Sequence, residues 1–133
     1  MTTVAAVRDD IAVILNAKTI RAIGFMPDAI PAPCVVVSRR EMDPRMVFSE
    51  AKAAYQFLLR VYVPRTSERA GQDQLDEWCE PTGSTSIMAA LQTGSNWTQT
   101  VDYAVVTSIG EVFETARADE VFLAVDIEVE VVW

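Results

Sequence analysis

The stretch 121–133 is the most regularly alternating part of the sequence, and it constrains the fold more than any other feature. Every second residue in it is apolar, and Asp126, Glu128 and Glu130 lie between apolar neighbours. Because successive side chains of a β-strand point to opposite faces, this pattern predicts a long strand with one buried and one polar face. Residues 53–63 alternate in a similar way. Two such strands predict a sheet that other elements cover on one face only.

Three segments have the three-and-four spacing of apolar residues that is typical of amphipathic helices. They cover residues 3–16, 67–80 and 86–93, and Pro81 and Gly83 separate the second from the third. The predicted cap residues are Thr2 or Thr3, Ser67, and Ser84 or Thr85. The inward side chains are predicted to be Val4, Val7, Ile11, Ile14, Leu15, Leu75, Trp78, Cys79, Ile87, Met88 and Leu91.

Further strands are predicted from shorter patterns. A short strand is expected at 18–25, and the β-branched run at 34–37 predicts a strand covered on both faces. Residues 38–50 are polar and charged, with Pro44 in the middle, and predict a loop or a long hairpin arm. A strand at 101–109 is predicted to have on one face Val101, Tyr103, Val105, Thr107 and Ile109.

These elements together predict an α+β fold. The expected architecture is a mainly antiparallel, twisted sheet with the N-terminal helix and the two central helices packed on one face. A length of 133 residues suits one hydrophobic core, so we expect a single domain over 1–133, with a charged loop at about 38–50.

Charge is distributed unevenly along the chain, whose net charge is −8. Residues 109–133 contain seven acids and one base, whereas residues 39–69 contain seven bases and four acids. An acidic total argues against a dedicated nucleic-acid binder, whose affinity comes from Lys and Arg. The asymmetry fits a subunit that meets copies of itself head to tail, and it equally fits an uneven solvated surface.

Apolar residues make up 50% of the chain, yet no apolar run is long enough for a membrane span. The excess is explained either by a contact with another protein or by a core rich in Val and Ala. The N-terminus does not resemble a secretory signal, because Asp9 and Asp10 interrupt its apolar stretch. Cys34 and Cys79 are therefore expected to be small buried hydrophobes and not a disulfide.

Few residues point to catalysis, and we expect that the protein is not an enzyme. Histidine is absent, which removes the commonest general base and zinc ligand. Asp126, Glu128 and Glu130 have a spacing that allows a shared hard cation, but a solvated sheet face is the favoured explanation, because alternating acids are common on half-exposed strands. Glu111 and Glu114 could form another carboxylate pair. Catalysis by such a pair needs an apolar pocket that gives the two carboxyl groups different pKa values, and the sequence indicates none. No catalytic residue, cofactor or metal site is predicted.

The two central helices and the turn between them form a recognisable pattern of residues, which are Gln72, Leu75, Asp76, Pro81, Gly83, Ser86, Ile87 and Leu91. They spell a Gln-x-x-Leu-Asp helix that leads into Pro-x-Gly-x-x-Ser-Ile and a second helix that ends in Leu. This pattern resembles that of the tail-terminator and minor tail, or head–tail joining, proteins of siphophages. The N-terminal helix, Met26-Pro27-Asp28 and the Val-rich strands extend the resemblance over most of the chain. Trp78-Cys79 departs from it, where an aliphatic residue is expected.

The resemblance implies a virion structural protein that caps the head-proximal end of the tail tube as a hexameric ring. It implies as partners further copies of the chain, the tail-tube protein and a head-completion or connector protein. It further implies that DNA passes through the lumen without specific binding, that no membrane is involved, and that assembly takes place in the host cytoplasm. The residues expected at a subunit or tube contact are Arg39, Arg40, Arg45, Asp126, Glu128 and Glu130. Another neck or tail-tube subunit, or a small carboxylate-based enzyme or ligand-binding domain, remains an alternative.

Overall fold

The computed structural model describes residues 3–25, 27–42, 54–64, 68–117 and 119–133. Within these ranges the chain forms three α-helices and six β-strands. The helices are α1 (Val4–Ala17), α2 (Glu68–Cys79) and α3 (Ile87–Gln92). The strands are β1 (Ala22–Ile23), β2 (Cys34–Met42), β3 (Ala54–Pro64), β4 (Tyr103–Ile109), β5 (Phe113–Arg117) and β6 (Glu120–Val132).

All six strands belong to one sheet in the order β1-β2-β3-β6-β4, with β5 also paired to β6. The short β1 is parallel to β2, and every other described pairing is antiparallel. The two alternating stretches of the sequence, β3 and β6, are neighbours and pair from Ala54↔Val132 to Pro64↔Phe122. The most strongly patterned strands therefore form the centre of the sheet.

The last third of the chain is a long hairpin whose outer strand is interrupted. β4 pairs with the second half of β6 and β5 with the first half, so β4 and β5 follow one another along the same side of β6. Between them the backbone amide of Gly110 donates to the carbonyl of Asp126 at 2.8 Å. A bulge between Val106 and Ser108 shifts the register of β4. We call residues 103–117 the outer strand of this hairpin.

The helices are held against the sheet by caps and by one close approach. Thr3 caps α1 by accepting from the amide of Ala6 at 3.1 Å, and Ser86 caps α3 by accepting from Ala89 at 3.1 Å. Gly71 lies where α2 crosses β3, and a Cβ atom there would be 3.3 Å from the carbonyl oxygen of Pro64. Glycine therefore lets this helix approach the sheet closely.

The main core lies between the three helices and one face of the sheet. It contains inward residues of all three helices together with alternate residues of β2, β3 and β6, among them Leu59 and Ile127. We call the sheet surface opposite the helices the open face. A smaller apolar cluster lies on it, where Ile30 of the Pro-rich segment packs with Cys34, Val36, Tyr62, Phe122 and Ala124. Because Cys34 and Val36 lie in one cluster and Val35 and Val37 in the other, the predicted strand covered on both faces is confirmed.

The predicted α+β class is confirmed, as is the packing of the helices on one face of a mainly antiparallel sheet. Several local predictions are wrong. The strand expected at 18–25 is reduced to β1, because Lys18 and Thr19 form the turn that ends α1. The cap of α3 is Ser86, one residue after those predicted, and Met88 is half-buried while Ala90 takes its place in the core. The strand β5 was not predicted.

Two further predictions concern β2 and β4. The segment 38–42 belongs to β2, so the hairpin-arm alternative holds there and the loop alternative does not, while 43–50 lies outside the described residues. The apolar residues of 101–109 do not share one face, because the bulge after Val106 reverses the alternation. Tyr103 is in register with Val132 and Val105 with Glu130, so both lie on the open face. Ile109 is in register with Ile127, which faces the main core.

Candidate subunit interface

The three acids expected at an interface, Asp126, Glu128 and Glu130, lie on the open face in the middle of β6. All three are half-buried. Since β6 is flanked by β3 on one side and by β4 on the other, the acids lie in the interior of the sheet and not at an edge. An approaching subunit must therefore contact the open face itself in order to reach them.

Asp126 already has a partner within the subunit. Arg60, its register neighbour on β3, donates from Nε to Oδ1 at 2.7 Å and from Nη2 to Oδ2 at 3.0 Å. These hydrogen bonds to Asp126 raise the pKa of the Arg60 guanidinium further above its usual range. The guanidinium also lies over the ring of Phe113, 5.2 Å from its centroid. A cross-strand ion pair thus neutralises one of the three charges that a neighbour was expected to meet.

Glu130 is hydrogen-bonded to the outer strand. The phenol of Tyr103 donates to its Oε1 at 3.0 Å, and this bond raises the pKa of Tyr103 above its ordinary value because ionisation would place two negative charges together. The third acid, Glu128, lies between Leu58 and Ser108 in register. In the part of the chain that the structure describes, no group of three His, Cys, Asp or Glu side chains is arranged to hold a metal ion.

The three predicted arginines are placed less completely. Arg39 and Arg40 belong to β2, and Arg39 is in register with Phe57 of β3. Arg45 lies outside the described residues. Because β3 separates β2 from β6, the backbone positions of Arg39 and Arg40 are two strands away from the acids. Within one subunit the backbone positions of Arg39 and Arg40 are therefore not adjacent to those of the acids.

A group that the sequence analysis did not single out lies along the C-terminal hairpin. Seven large apolar side chains are exposed in the described residues, and five of them belong to this hairpin. They are Tyr103, Val105, Ile109, Val112 and Val121. The alternation of 101–109 was the available signal, but the core takes Ala104 and Val106 from β4 and leaves Tyr103 and Val105 outside. Alternation identifies a face, and only the packing decides which face is buried.

The two remaining exposed apolar side chains, Val13 and Phe25, lie at the opposite end of the sheet. Phe25 follows β1 and is 67% exposed. The side of α1 that carries Val13 adjoins β1, because Asn16, one turn away, donates to the carbonyl of Ala22 at 3.0 Å and accepts from its amide at 3.2 Å. Five of the seven exposed large apolar residues thus lie along the C-terminal hairpin, and the other two lie near β1.

The outer strand is protected from simple strand addition at one point. Gln92 of α3 accepts from the backbone amide of Val106 at 3.1 Å with its side-chain oxygen. An amide occupied in this way is not free to pair with another strand. Strand addition is therefore blocked at Val106.

Other candidate chemical groups have structural explanations. A surface cleft of about 240 Å³ is lined by Lys18, Ser84, Ser86 and Asn96, among others. Its two polar groups nearest the core are engaged, because Ser86 donates to Glu80 and Asn96 donates to Ala90. Glu111 and Glu114 are both exposed. No arrangement of a nucleophile and a base appears in this cleft.

The cysteines are free thiols on opposite faces of the sheet. Burial raises the pKa of each thiol to about 11, and for Cys79 the charges of Asp76 and Glu80 add to this effect. Cys34 is fully buried and Cys79 half-buried, which agrees with the prediction that they act as small hydrophobes.

A comparison with models of protein families and with curated proteins finds no match for the chain. Among the helices described, none has the length and apolar character needed to cross a membrane.

Proposed function

We propose that the protein is a ring-forming tail terminator of a long-tailed bacteriophage, a structural part of the virion and not an enzyme. It caps the head-proximal end of the tail tube, stops polymerisation of the tube and offers a surface for head–tail joining. The proposal rests on the resemblance carried by the segment around Gln72–Leu91 and on the charge of the sheet.

The observation that carries the proposal is that the charge of the sheet changes sign from one side to the other. β2 and β3 contain three bases, Arg39, Arg40 and Arg60, against one acid, whereas β5 and β6 contain five acids against one base. The strand order puts the first pair on one side of the sheet and the second pair on the other. A head-to-tail contact between copies brings unlike surfaces together, and such contacts close into a ring when the rotation between subunits allows it.

The acidic half of the sheet also suits a ring through which DNA passes. Acidic side chains repel phosphates, so a duplex in transit is not retained by the subunits around it. The tail-tube protein, a connector protein and further copies of the chain are the proposed partners. The site of action is the tail of the virion, and assembly takes place in the host cytoplasm.

The proposal is tested by the native mass of the purified protein over a wide concentration range, combined with electron micrographs in the presence and absence of tail tubes. We expect closed rings of six copies, either free or on one end of each tube. Tubes that lengthen by adding this protein identify it instead as a tube subunit, the nearest alternative. A protein that stays monomeric in solution and on both tube ends contradicts the proposal.

A further inference from the structure

The Pro-rich segment 27–33 covers one end of the open face, and we call it the strap. It lies in the connection from β1 to β2 and forms no helix or strand. The smaller apolar cluster lies beneath it, and Tyr62 in this cluster is only 1% exposed although the described helices pack on the other face of the sheet. The cluster residues outside β2, β3 and β6 are Ile30 and Ala32 of the strap and Phe113 of β5. The strap therefore provides much of the cover of this cluster.

Few interactions hold the strap in place. Its one buried side chain is Ile30, 8% exposed, whereas Asp28, Ala29 and Pro31 are exposed. Among the described residues, a single hydrogen bond ties the strap to the rest of the molecule, in which Nη1 of Arg21 donates to the carbonyl of Pro31 at 2.9 Å. Three of the seven strap residues are prolines, which have no backbone N–H and cannot donate to a neighbouring strand. The strap is thus anchored mainly by one apolar side chain.

The helices cover the opposite face of the sheet much more firmly. All three contribute fully or almost fully buried side chains to the main core, among them Ile11, Leu75 and Leu91. Asp10 adds a buried hydrogen bond from the Thr98 amide at 2.9 Å. Segments with few buried apolar contacts and few hydrogen bonds open at a lower free energy than the core of the same protein. Of the two covers of the sheet, the strap is therefore the one expected to open first.

We propose that the strap is a local cover that opens while the sheet and the helices stay folded. Each opening exposes to water the apolar residues beneath it, which are Cys34, Val36, Tyr62, Phe122 and Ala124. The closed strap hides an apolar surface that would otherwise favour association with other proteins. The inference concerns the single subunit, so it does not depend on the proposed ring.

The thiol of Cys34 is a natural probe for this opening. Cys34 is 0% exposed and belongs to the covered cluster. Burial raises the pKa of its thiol to about 11, so in the closed subunit the group is both covered and protonated, and a thiol reacts as the thiolate. The second cysteine, Cys79, lies on the helix side of the sheet. Replacing it by Cys79→Ala in every protein tested leaves Cys34 as the one thiol that can react with N-ethylmaleimide, a small neutral reagent.

The rate of labelling is measured by mass spectrometry at increasing urea concentrations below the unfolding transition. We expect the rate to change little with urea, because opening of the strap exposes little surface. Ile30→Ala should raise the rate at least about tenfold, since it removes the main anchor of the strap. Leu91→Ala is the control, because it weakens the core on the helix side at a 0% exposed position and should leave the rate within about twofold. Circular dichroism establishes that each variant is folded.

Labelling that is insensitive to urea and that Ile30→Ala alone accelerates establishes the local opening. A rate that rises steeply with urea, in parallel with global unfolding, means that Cys34 reacts only from the unfolded chain and overturns the proposal. Equal acceleration by Ile30→Ala and Leu91→Ala overturns it in the same way. A rate as fast as that of an unfolded peptide containing Cys34 shows that the strap does not cover the cluster, and this also overturns it. The urea dependence of the protein with an intact strap decides the question even if Ile30→Ala does not fold.

Discussion

The two faces of β6 are formed by one backbone, but different interactions hold their side chains. On the helix side, Leu123, Val125, Ile127, Val129 and Val131 are buried in the main core. On the open face, Phe122 and Ala124 belong to the smaller apolar cluster and Val132 is buried, while Asp126 and Glu130 between them form specific polar contacts with neighbouring strands. The comparison teaches that the covered face provides most of the stability, while the open face fixes the register of its neighbours and stays available for contacts.

The largest effect is expected on the covered face. Ile127→Ala and Leu75→Ala should each lower the free energy of unfolding by about 2–5 kcal/mol, because each removes a side chain that is 1% exposed and leaves a cavity. Chemical denaturation measures this loss. The matched control is Val121→Ala on the same strand, 44% exposed, which should change stability by about 0.5 kcal/mol or less. Equal losses at positions 121 and 127 would show that the helices do not seal this face.

The next largest loss of stability is expected for a buried carboxylate on the helix side of the sheet. Asp10 of α1 is 4% exposed and accepts from the Thr98 amide at 2.9 Å, the Thr98 hydroxyl at 2.7 Å and the Gln99 amide at 3.2 Å. Asp10→Ala should cost about 1–3 kcal/mol, since two backbone amides lose their acceptor. Asp9→Ala, at the neighbouring exposed position, is the control. Hydrogen exchange at Thr98 and Gln99 should accelerate in the first variant only.

A smaller effect is expected for the ion pair on the open face. Asp126→Asn should lower stability by about 0.5–1.5 kcal/mol, because the Arg60 and Asp126 side chains are about one third exposed and solvent screens part of their attraction. If Asp126 were fully solvated, the same substitution would change stability by less than about 0.5 kcal/mol. A double-mutant cycle with Arg60→Gln isolates the coupling. A coupling energy of zero would mean that the pair aligns β3 and β6 without stabilising them.

The smallest effect should come from Tyr103 and Glu130. Both Tyr103→Phe and Glu130→Gln are expected to change stability by about 0.5 kcal/mol or less at neutral pH, since the bond is exposed. The folded-state pKa of Tyr103 is raised, so its contribution is present below pH 10 and is lost as the pH rises through the raised value. Ultraviolet titrations of the wild type and of Tyr103→Phe identify the ionisation of this phenol by difference. Glu130→Gln should move that ionisation to lower pH.

Prediction from the sequence was most successful where burial follows directly from periodicity. The strands 53–63 and 121–133, the three helices and the doubly covered run at 34–37 all appear near their predicted bounds. It was least successful at turns and bulges, where one residue changes the outcome. The extra residue at Thr107 reverses the faces of β4, and no composition or spacing rule foretells where such a bulge occurs.

The expected interface residues show the same limit. Asp126, Glu128 and Glu130 were correctly assigned to one face, because a period of two fixes that relation within a strand. Their partners could not be assigned, since Arg60 is 66 positions away in sequence and becomes a neighbour only when β3 and β6 pair in register. Arg39 and Arg40 were expected in a loop or a long hairpin arm, and they belong to a strand that β3 separates from the acids.

The sequence by itself determined the class of fold, the buried stripe of each helix and the division of charge between residues 39–69 and 109–133. These are local properties, and a strand or a helix expresses them wherever it is placed. Only the tertiary structure decided that β2 and β3 lie on one side of the sheet and the acidic strands β5 and β6 on the other, and that Tyr103 and Val105 face outward. Strand order and register decide such relations, because they depend on which distant segments pair and on how the helices cover the sheet.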